Sequence, residues 1–516
     1  MQQQPIRRNV PVKGMNTVSP RRAFSEEFAP SIINCWYDDG VSLKRRLCQA
    51  ASTVAAQLNP IKSMVEYKVS TQEFLIQDSV TGAISKFTAA ATVATPTLAA
   101  FGVPIGGIAV KKVRAATLNG LMIMGDGQNP AQVYDGAAFV APTALPTPSA
   151  VGKPIYGDAT IGSIFHIHQG RCYAAGNPAY PMNFLYSDAM NSSGVKYWSA
   201  VVSATGEQGG FVNIGADLDT GDVITGLATH RGFLVVFCKN NILFYTTVVT
   251  AAGVGHALYK RVAGEGCVSP DSIQAVGEDV IFLSPNGFKK LSVSLIQGDS
   301  QVNDLSQPVN NIVKQKLHLM TPAQIENVSS TYNATYGLYM LSFGDGDVWV
   351  MQPAFDGWFL WKGLAGHLFT ASTQETYHLT TAINTLTNTV FADAGITPLP
   401  VAMSWEVAPF KVGVDRQIRW NKLAVIYEST APLAPAAHTL SVTSYPDLIA
   451  NRALTSPIPT TPNSPIEQGG TMLEGLVVIP LAARGELMTV ILSNSDNVDF
   501  RFKLVEAYFN VGGIRE

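Results

Sequence analysis

The chain is short of charge. Only 14 % of its 516 residues are Asp, Glu, Lys or Arg, against about a quarter in ordinary soluble domains. The 35 basic and 38 acidic residues leave a net charge of −3, which disfavours a protein that holds nucleic acid by bulk charge. A long apolar run is also missing. The longest uncharged stretch, Phe87 to Val110, is interrupted by Pro96, Pro104 and several glycines, so it reads as loops and short strands rather than a span of about 20 residues, and no membrane anchor is expected. Met1 to Pro5, followed by Arg7 and Arg8, lacks the apolar stretch of a signal peptide, so the protein is expected to be made and kept in a cytoplasm. Five cysteines, Cys35, Cys48, Cys172, Cys238 and Cys267, are an odd number without C-x-x-C spacing. That argues against a disulfide framework and a zinc cage, and predicts buried free thiols.

Helical periodicity is scarce. The best pattern is Ser306 to Leu319, with Ser306 as a cap, Pro308 in the first turn, and Val309, Ile312, Val313 and Leu317 on one face. Leu47 to Leu58 is rich in alanine, and its pattern leaves helix and non-helix open.

What the chain has instead is punctuation. Its 44 glycines and 30 prolines are spread along the length and separate short apolar or alternating runs, which excludes disorder for most of the chain and predicts an all-β protein. Six hairpins stand out: Phe74–Gln77 with Ile84–Phe87, Leu121–Met124 with Val133–Tyr134, Cys172–Ala174 with Phe184–Tyr186, Phe233–Phe237 with Ile242–Tyr245, Val280–Leu283 with Phe288–Leu291, and Leu338–Ser342 with Val348–Val350. Their first strands recur every 46 to 62 residues. A loose period of about 50 suits the four-stranded blades of a β-propeller, a design that leaves few exposed edges. The competing arrangement is one or two large β-sandwiches.

Three segments follow. Residues 1–50 form a basic N-terminal arm, in which Arg7, Arg8, Lys13, Arg21, Arg22, Lys44, Arg45 and Arg46 outnumber Glu26, Glu27, Asp38 and Asp39. The arm carries +4 and the remainder −7. Arg7, Arg8, Arg21, Arg22, Arg45 and Arg46 are candidates for docking on an acidic partner; the alternative is a solvated arm lying over the body. Residues 51–395 form the propeller, with six blades expected from the hairpin count and one inserted helix. Residues 396–516, with strand-like runs Trp420–Tyr427, Thr439–Tyr445, Leu476–Ile479, Met488–Leu492 and Phe500–Tyr508, suit a C-terminal β-sandwich.

Chemistry-bearing patterns are few. His166 and His168 share one face of a strand-like run but lack a third metal ligand at a telling spacing. Gly125–Asn129 and Gly344–Asp347 superficially resemble calcium loops but do not continue into the twelve-residue ligand pattern, and they read as hairpin turns. No phosphate-binding loop, zincin motif or nucleophile elbow occurs. Ser187-Asp188 with Gly194 and Trp198 resembles the Asp-box of sialidase propellers only distantly, with different spacing and no recurrence. Catalytic, cofactor and metal residues are therefore not assigned, and an enzyme is not expected.

Taken in order, several segments resemble the tail hub or nozzle proteins of short-tailed bacteriophages (podoviruses), also called packaged-DNA stabilisation proteins. The densest stretch runs from Ile224-Thr225-Gly226-Leu227 through Arg231-Gly232 and Phe233–Phe237 to Asn241–Tyr245, then Gly266-Cys267-Val268-Ser269-Pro270-Asp271-Ser272 and Phe282-Leu283-Ser284-Pro285-Asn286-Gly287. Tyr134-Asp135-Gly136, Phe355-Asp356-Gly357-Trp358, the Ser306 helix, and Ser31–Trp36 followed by Leu43-Lys44-Arg45-Arg46 are similar to further parts of that family. The family's Pro-Gly after the L-R-R segment is replaced here by Leu47-Cys48-Gln49.

The resemblance implies a structural virion protein of the tail, assembled in the host bacterial cytoplasm. Six copies would form a ring below the portal and adaptor, with tail fibres or tailspikes and a channel plug as further possible partners and DNA only as passing cargo during genome ejection. A neutral to acidic lumen is implied, since each neutralised phosphate adds counterion-release affinity. The alternative is a glycan-binding or glycan-hydrolysing propeller, for which Trp349, Trp358 and Trp361 would supply exposed aromatic surface; lying on β runs, these tryptophans are otherwise expected to pack between blades.

Overall fold

The computed structural model describes residues 5–37, 40–50, 59–69, 72–88, 95–98, 110–140, 162–189, 198, 208–218, 221–250, 253–293, 300–390, 392–394, 399–412, 418–430, 438–447, 454–460, 472–495 and 499–511. Its main body is a β-propeller. Each of the six hairpins read from the sequence forms the middle pair of an antiparallel four-stranded blade, and the six blades follow one another from Ile61 to Leu364. Their innermost strands are Ile61–Lys68, Arg114–Leu118, Ile164–His168, Ile224–His230, Gln274–Val276 and Ser329–Asn333.

The ring contains a further four-stranded sheet beyond those six. Strands His367–Thr370, Thr376–Leu379 and Ile383–Thr387 are completed by Cys48–Ala50 from near the N-terminus, and His367–Thr370 lies between the first strand of the sixth blade and Ile61–Lys68, closing the circle. The hairpin count did not reach this seventh blade because its strands are short and rich in Thr, Asn and His, and its outer strand comes from a distant part of the chain. Cys48–Ala50 is thus a strand, and residues 51–58 of the alanine-rich stretch lie outside the described residues.

Packing between blades explains the uninterrupted apolar runs. In Phe233–Cys238, side chains alternate between two cores: Leu234, Val236 and Cys238 join Tyr173 and Phe184 of the third blade, while Val235 and Phe237 join Val280 and Phe282 of the fifth. A strand buried on both faces needs no polar alternation. All five cysteines are buried free thiols, and burial pushes the Cys35 and Cys267 thiols up to about 12.

Between the fifth and sixth blades, a 3-10 turn at Gln307–Val309 runs into helix α1 (Asn310–Leu319), followed by a short helix α2 (Pro322–Glu326). Val309 and Val313 are buried as expected, but Ile312 is 39 % exposed. The Ser306 hydroxyl does not cap the helix; it accepts the Phe288 backbone N–H at 2.7 Å and tethers α1 to the fifth blade.

The first fifty residues are not a separate arm. Ile6–Asn9, Cys35–Tyr37 and Leu43–Arg45 join Ile418–Thr430, Met472–Gly485 and Phe500–Val511 in one sheet. Ser31–Ile33 pairs in parallel with the outer strand of the sixth blade at Leu360 and antiparallel with Met403–Glu406, so a second sheet runs from that blade into Leu487–Asn494, His438–Pro446 and Leu454–Thr460. The five C-terminal runs read from the sequence are all strands, yet both sheets need N-terminal partners. Trp36, Trp405, Trp420, Tyr427, Val490 and Phe502 share one core between them. The division at residues 50 and 395 therefore does not follow the packing: the apolar residues between the charges of the first fifty residues are buried in this core.

Candidate functional site

The docking arginines differ in fate because they lie on strands. Arg7 is exposed and pairs with Glu506 at 2.7 Å. Arg8 points inward: its guanidinium donates to Glu26 Oε1 at 2.6 Å and to the Pro409 carbonyl at 3.1 Å, and lies 5.3 Å from the centre of the Phe410 ring. Arg21 pairs with Glu406 at 2.8 Å. Arg22 lies in a one-turn 3-10 helix, Arg21–Ala23. Arg45 is buried and donates to Asn494 Oδ1 at 2.7 Å, and Arg46 is buried against Asp393. Arg8, Arg45 and Arg46 thus serve the interior, which corrects their reading as docking residues.

His166 and His168 do share a face, as the spacing predicts. Their Nε2 and Nδ1 atoms converge on one hydroxyl, Thr229 Oγ1, at 2.8 and 2.9 Å, bridging the third and fourth blades. Among the described residues no group of three or more His, Cys, Asp or Glu is placed to hold a metal. Trp349, Trp358 and Trp361 are buried; Trp358 and Trp361 donate their indole N–H to the Leu305 and Cys35 carbonyls. Gly125–Asn129 turns back on itself, with Asp126 Oδ1 accepting the N–H groups of Gln128 and Asn129.

Two of the segments singled out in the sequence, Ile224–Tyr245 and Gly266–Gly287, form one joint. Arg231 and Gly232 both have positive φ, 47° and 82°, as a two-residue hairpin of this twist requires. The Cys267 N–H donates to the Cys238 carbonyl and the Val268 N–H to the Leu283 carbonyl, lacing the fourth blade to the fifth. The Ser272 hydroxyl donates to the Ser269 carbonyl and accepts the Leu283 N–H. Gly266 sits so close to Lys239 that a Cβ would fall 2.2 Å from its carbonyl oxygen.

The centre of the ring carries buried charge. All seven inner strands, from Val65 in the first blade to Leu368 in the last, surround a cavity of about 360 Å³. One wall is a buried charged triad. Arg114 donates to both oxygens of Asp271, at 2.9 and 2.6 Å, and Lys112 Nζ lies 3.1 Å from Asp271 Oδ2. Burial opposes ionisation of Asp271, but Arg114 and Lys112 outweigh it and hold the carboxyl well below the usual range. Burial lowers Lys112, which Asp271 only partly offsets. His367 is pushed down to about 3, first by burial and then by Lys112 and Lys62, so its ring is neutral at pH 7.

Helix α2 stands at one mouth. A second cavity of about 320 Å³ shares Arg114, Ile164 and Pro270 with the first and is walled by Pro322, Ile325 and Glu326 of α2. Glu326 accepts from Lys111 Nζ at 2.9 Å and from the Lys112 backbone N–H at 3.1 Å, while Lys62 Nζ donates to Asn327 Oδ1 at 2.8 Å. A capping box between Thr321 and Gln324 fixes the helix start. Sequence reading missed this cluster. Its one signal was Lys111-Lys112-Val113-Arg114, a basic run ending the long uncharged stretch; Asp271 lies 157 residues from Arg114.

No protein-family model matches the chain, and no curated protein matches it in sequence. Solved propellers do resemble it. A structure of YCF48 bound to D1 peptide is 10 % identical with a TM-score of 0.37, covering 66 % of this chain and 96 % of that one. The Cps50 (Swd1) β-propeller domain of Myceliophteria thermophila is 9 % identical with a TM-score of 0.36, and U3-55K is 9 % identical with 0.38; each pairing covers 66 % of this chain and 98 % of the other. At such identity the likeness concerns the fold alone.

Proposed function

We propose that this chain is a structural, non-catalytic subunit of a short phage tail, six copies of which form a hub or nozzle below the portal and adaptor. The ring retains packaged DNA and conducts it during ejection. The observation that supports this reading is the joint just described: the two densest segments similar to the hub family, Ile224–Tyr245 and Gly266–Gly287, meet at one blade-to-blade seam, where Gly266, Cys267 and Ser272 each have a positional reason to be what they are. The axis of each propeller holds the Lys112–Asp271–Arg114 triad and has α2 at its mouth, so in this reading DNA passes between subunits. A charge-poor chain suits both large subunit contacts, whose centres are depleted in charge, and a lumen that does not grip phosphates.

Negative-stain imaging of the purified protein, with its mass from light scattering, tests the reading. Six-fold rings with an axial hole are expected. A monomer at all concentrations, with or without the adaptor, overturns it.

A further inference from the structure

We propose that the cavity on the propeller axis binds a compact phosphate-type oxyanion, either free or as the terminal group of a small phosphomonoester. The first ground is charge. Around the cavity and its α2 mouth stand Lys62, Lys111, Lys112 and Arg114, against Asp271, Glu326 and, on the rim, Asp126. On the cavity wall itself two cations, Lys112 and Arg114, share the single carboxylate of Asp271, and a buried excess of one sign calls for a counter-ion.

The second ground is unused hydrogen-bonding capacity. Lys112 Nζ has three N–H bonds to give and spends two, on Asp271 and the Val328 carbonyl. Arg114 has five; two go to Asp271 and one makes a long 3.4 Å bond to the Ser163 carbonyl.

The third ground is His367. It lines the cavity, is 9 % exposed, and its Nδ1 has no hydrogen-bond partner among the described residues. A buried ring nitrogen left unpaired is costly. A bound oxyanion would accept from Lys112 and Arg114 and from a His367 ring N–H. The volume, about 360 Å³, falls within the range of small-molecule sites, about 300–1,000 Å³, and so has room for more than a bare ion.

The test is calorimetric titration of the full chain at pH 7 and low salt, with sodium phosphate in one arm and ribose 5-phosphate in the other. Saturable binding at one site per chain is expected in at least one arm, with dissociation constants below about 1 mM. His367→Phe, which breaks no observed hydrogen bond and fills the cavity, should weaken binding at least about tenfold. Lys112→Gln should do the same; should it fail to fold, Lys62→Gln at the mouth, expected to weaken binding severalfold, replaces it. Lys13→Gln, outside the cavity walls, should bind as the parent does. Tighter binding of ribose 5-phosphate identifies an organic phosphomonoester, and binding of phosphate alone identifies the free ion. No saturable binding up to about 10 mM in either arm, or undiminished affinity in His367→Phe and Lys62→Gln, overturns the proposal, the latter outcome meaning an adventitious ion only. The readout is independent of ring assembly, so its failure leaves the tail reading untouched.

Discussion

Arg46 clamps Asp393. Its Nη2 lies 2.5 Å from Oδ2 and its Nη1 donates to Oδ1 at 3.1 Å, while Asp393 Oδ1 also accepts the Gln49 backbone N–H at 3.0 Å. The pair fixes the strand that completes the last blade. With side-chain exposures of 1 % and 18 %, it is largely screened from water, and removing one partner strands a charge. Asp393→Ala is expected to cost about 3–5 kcal/mol and to open the seventh blade. Urea unfolding gives the loss, and limited proteolysis between residues 48 and 61 should become faster; an unchanged midpoint counts against a closing role for the clamp.

Neighbouring arginines on one strand should behave oppositely. Arg7→Ala breaks an exposed pair and is expected to change stability by less than about 1 kcal/mol. Arg8→Ala leaves the Pro409 carbonyl without its guanidinium donor and uncovers Phe410, so a loss of about 1–3 kcal/mol is expected. Equal effects would contradict the inward orientation of Arg8.

The seam between the fourth and fifth blades is expected to be the least forgiving part of the ring. Phe237→Ala should cost about 3–5 kcal/mol, since the ring packs 4.9 Å from that of Phe282. Gly266→Ala forces a Cβ against the Lys239 carbonyl and should be worse than an ordinary Gly→Ala change. Comparing both with Gly264→Ala, where a Cβ meets nothing but φ is +81°, separates contact from backbone strain.

Acid should destabilise the ring well above the pH of carboxylate titration. Burial holds His378 at about 4 and His367 at about 3, against 6.5 for the free side chain. Between about pH 6.5 and 4 the unfolded chain therefore binds protons that the folded chain refuses. Stability falls as pH drops through that window, by roughly 1 kcal/mol per pH unit for each such histidine. His378→Gln keeps an N–H donor for the Ala365 carbonyl, which His378 Nε2 contacts at 3.1 Å, and should flatten the slope of unfolding free energy against pH over that range; an unchanged slope would exclude His378 as a source.

The propeller was readable because its central strands are buried on both faces. Runs such as Phe233–Cys238 and Val280–Leu283 are uninterrupted and bounded by turn residues, so their number and spacing survive in one dimension. The seventh blade was not readable, because Thr376–Leu379 carries too little apolar signal and Cys48–Ala50 gains its meaning only by pairing with Thr385–Thr387. Likewise Arg7 and Arg8 look alike as charge, and only the alternation of the strand separates a surface residue from a buried one. The axial triad joins residues that the sequence keeps far apart, so no spacing rule points to it.

Joining Cys48–Ala50 to Ile383–Thr387 also dictates an order of events during synthesis. Gln49 and Asn384, whose side chains meet, are 335 residues apart, an interval of roughly 20 to 70 s at ribosomal rates of about 5–20 residues per second. The first-made segment must wait, unpaired, until the last blade emerges. The circle therefore closes late, and blades that form earlier keep an open edge until then, which makes the nascent chain vulnerable to edge-to-edge association. Removing either the N-terminal fifty residues or the last blade should leave the same defect, an unclosed ring.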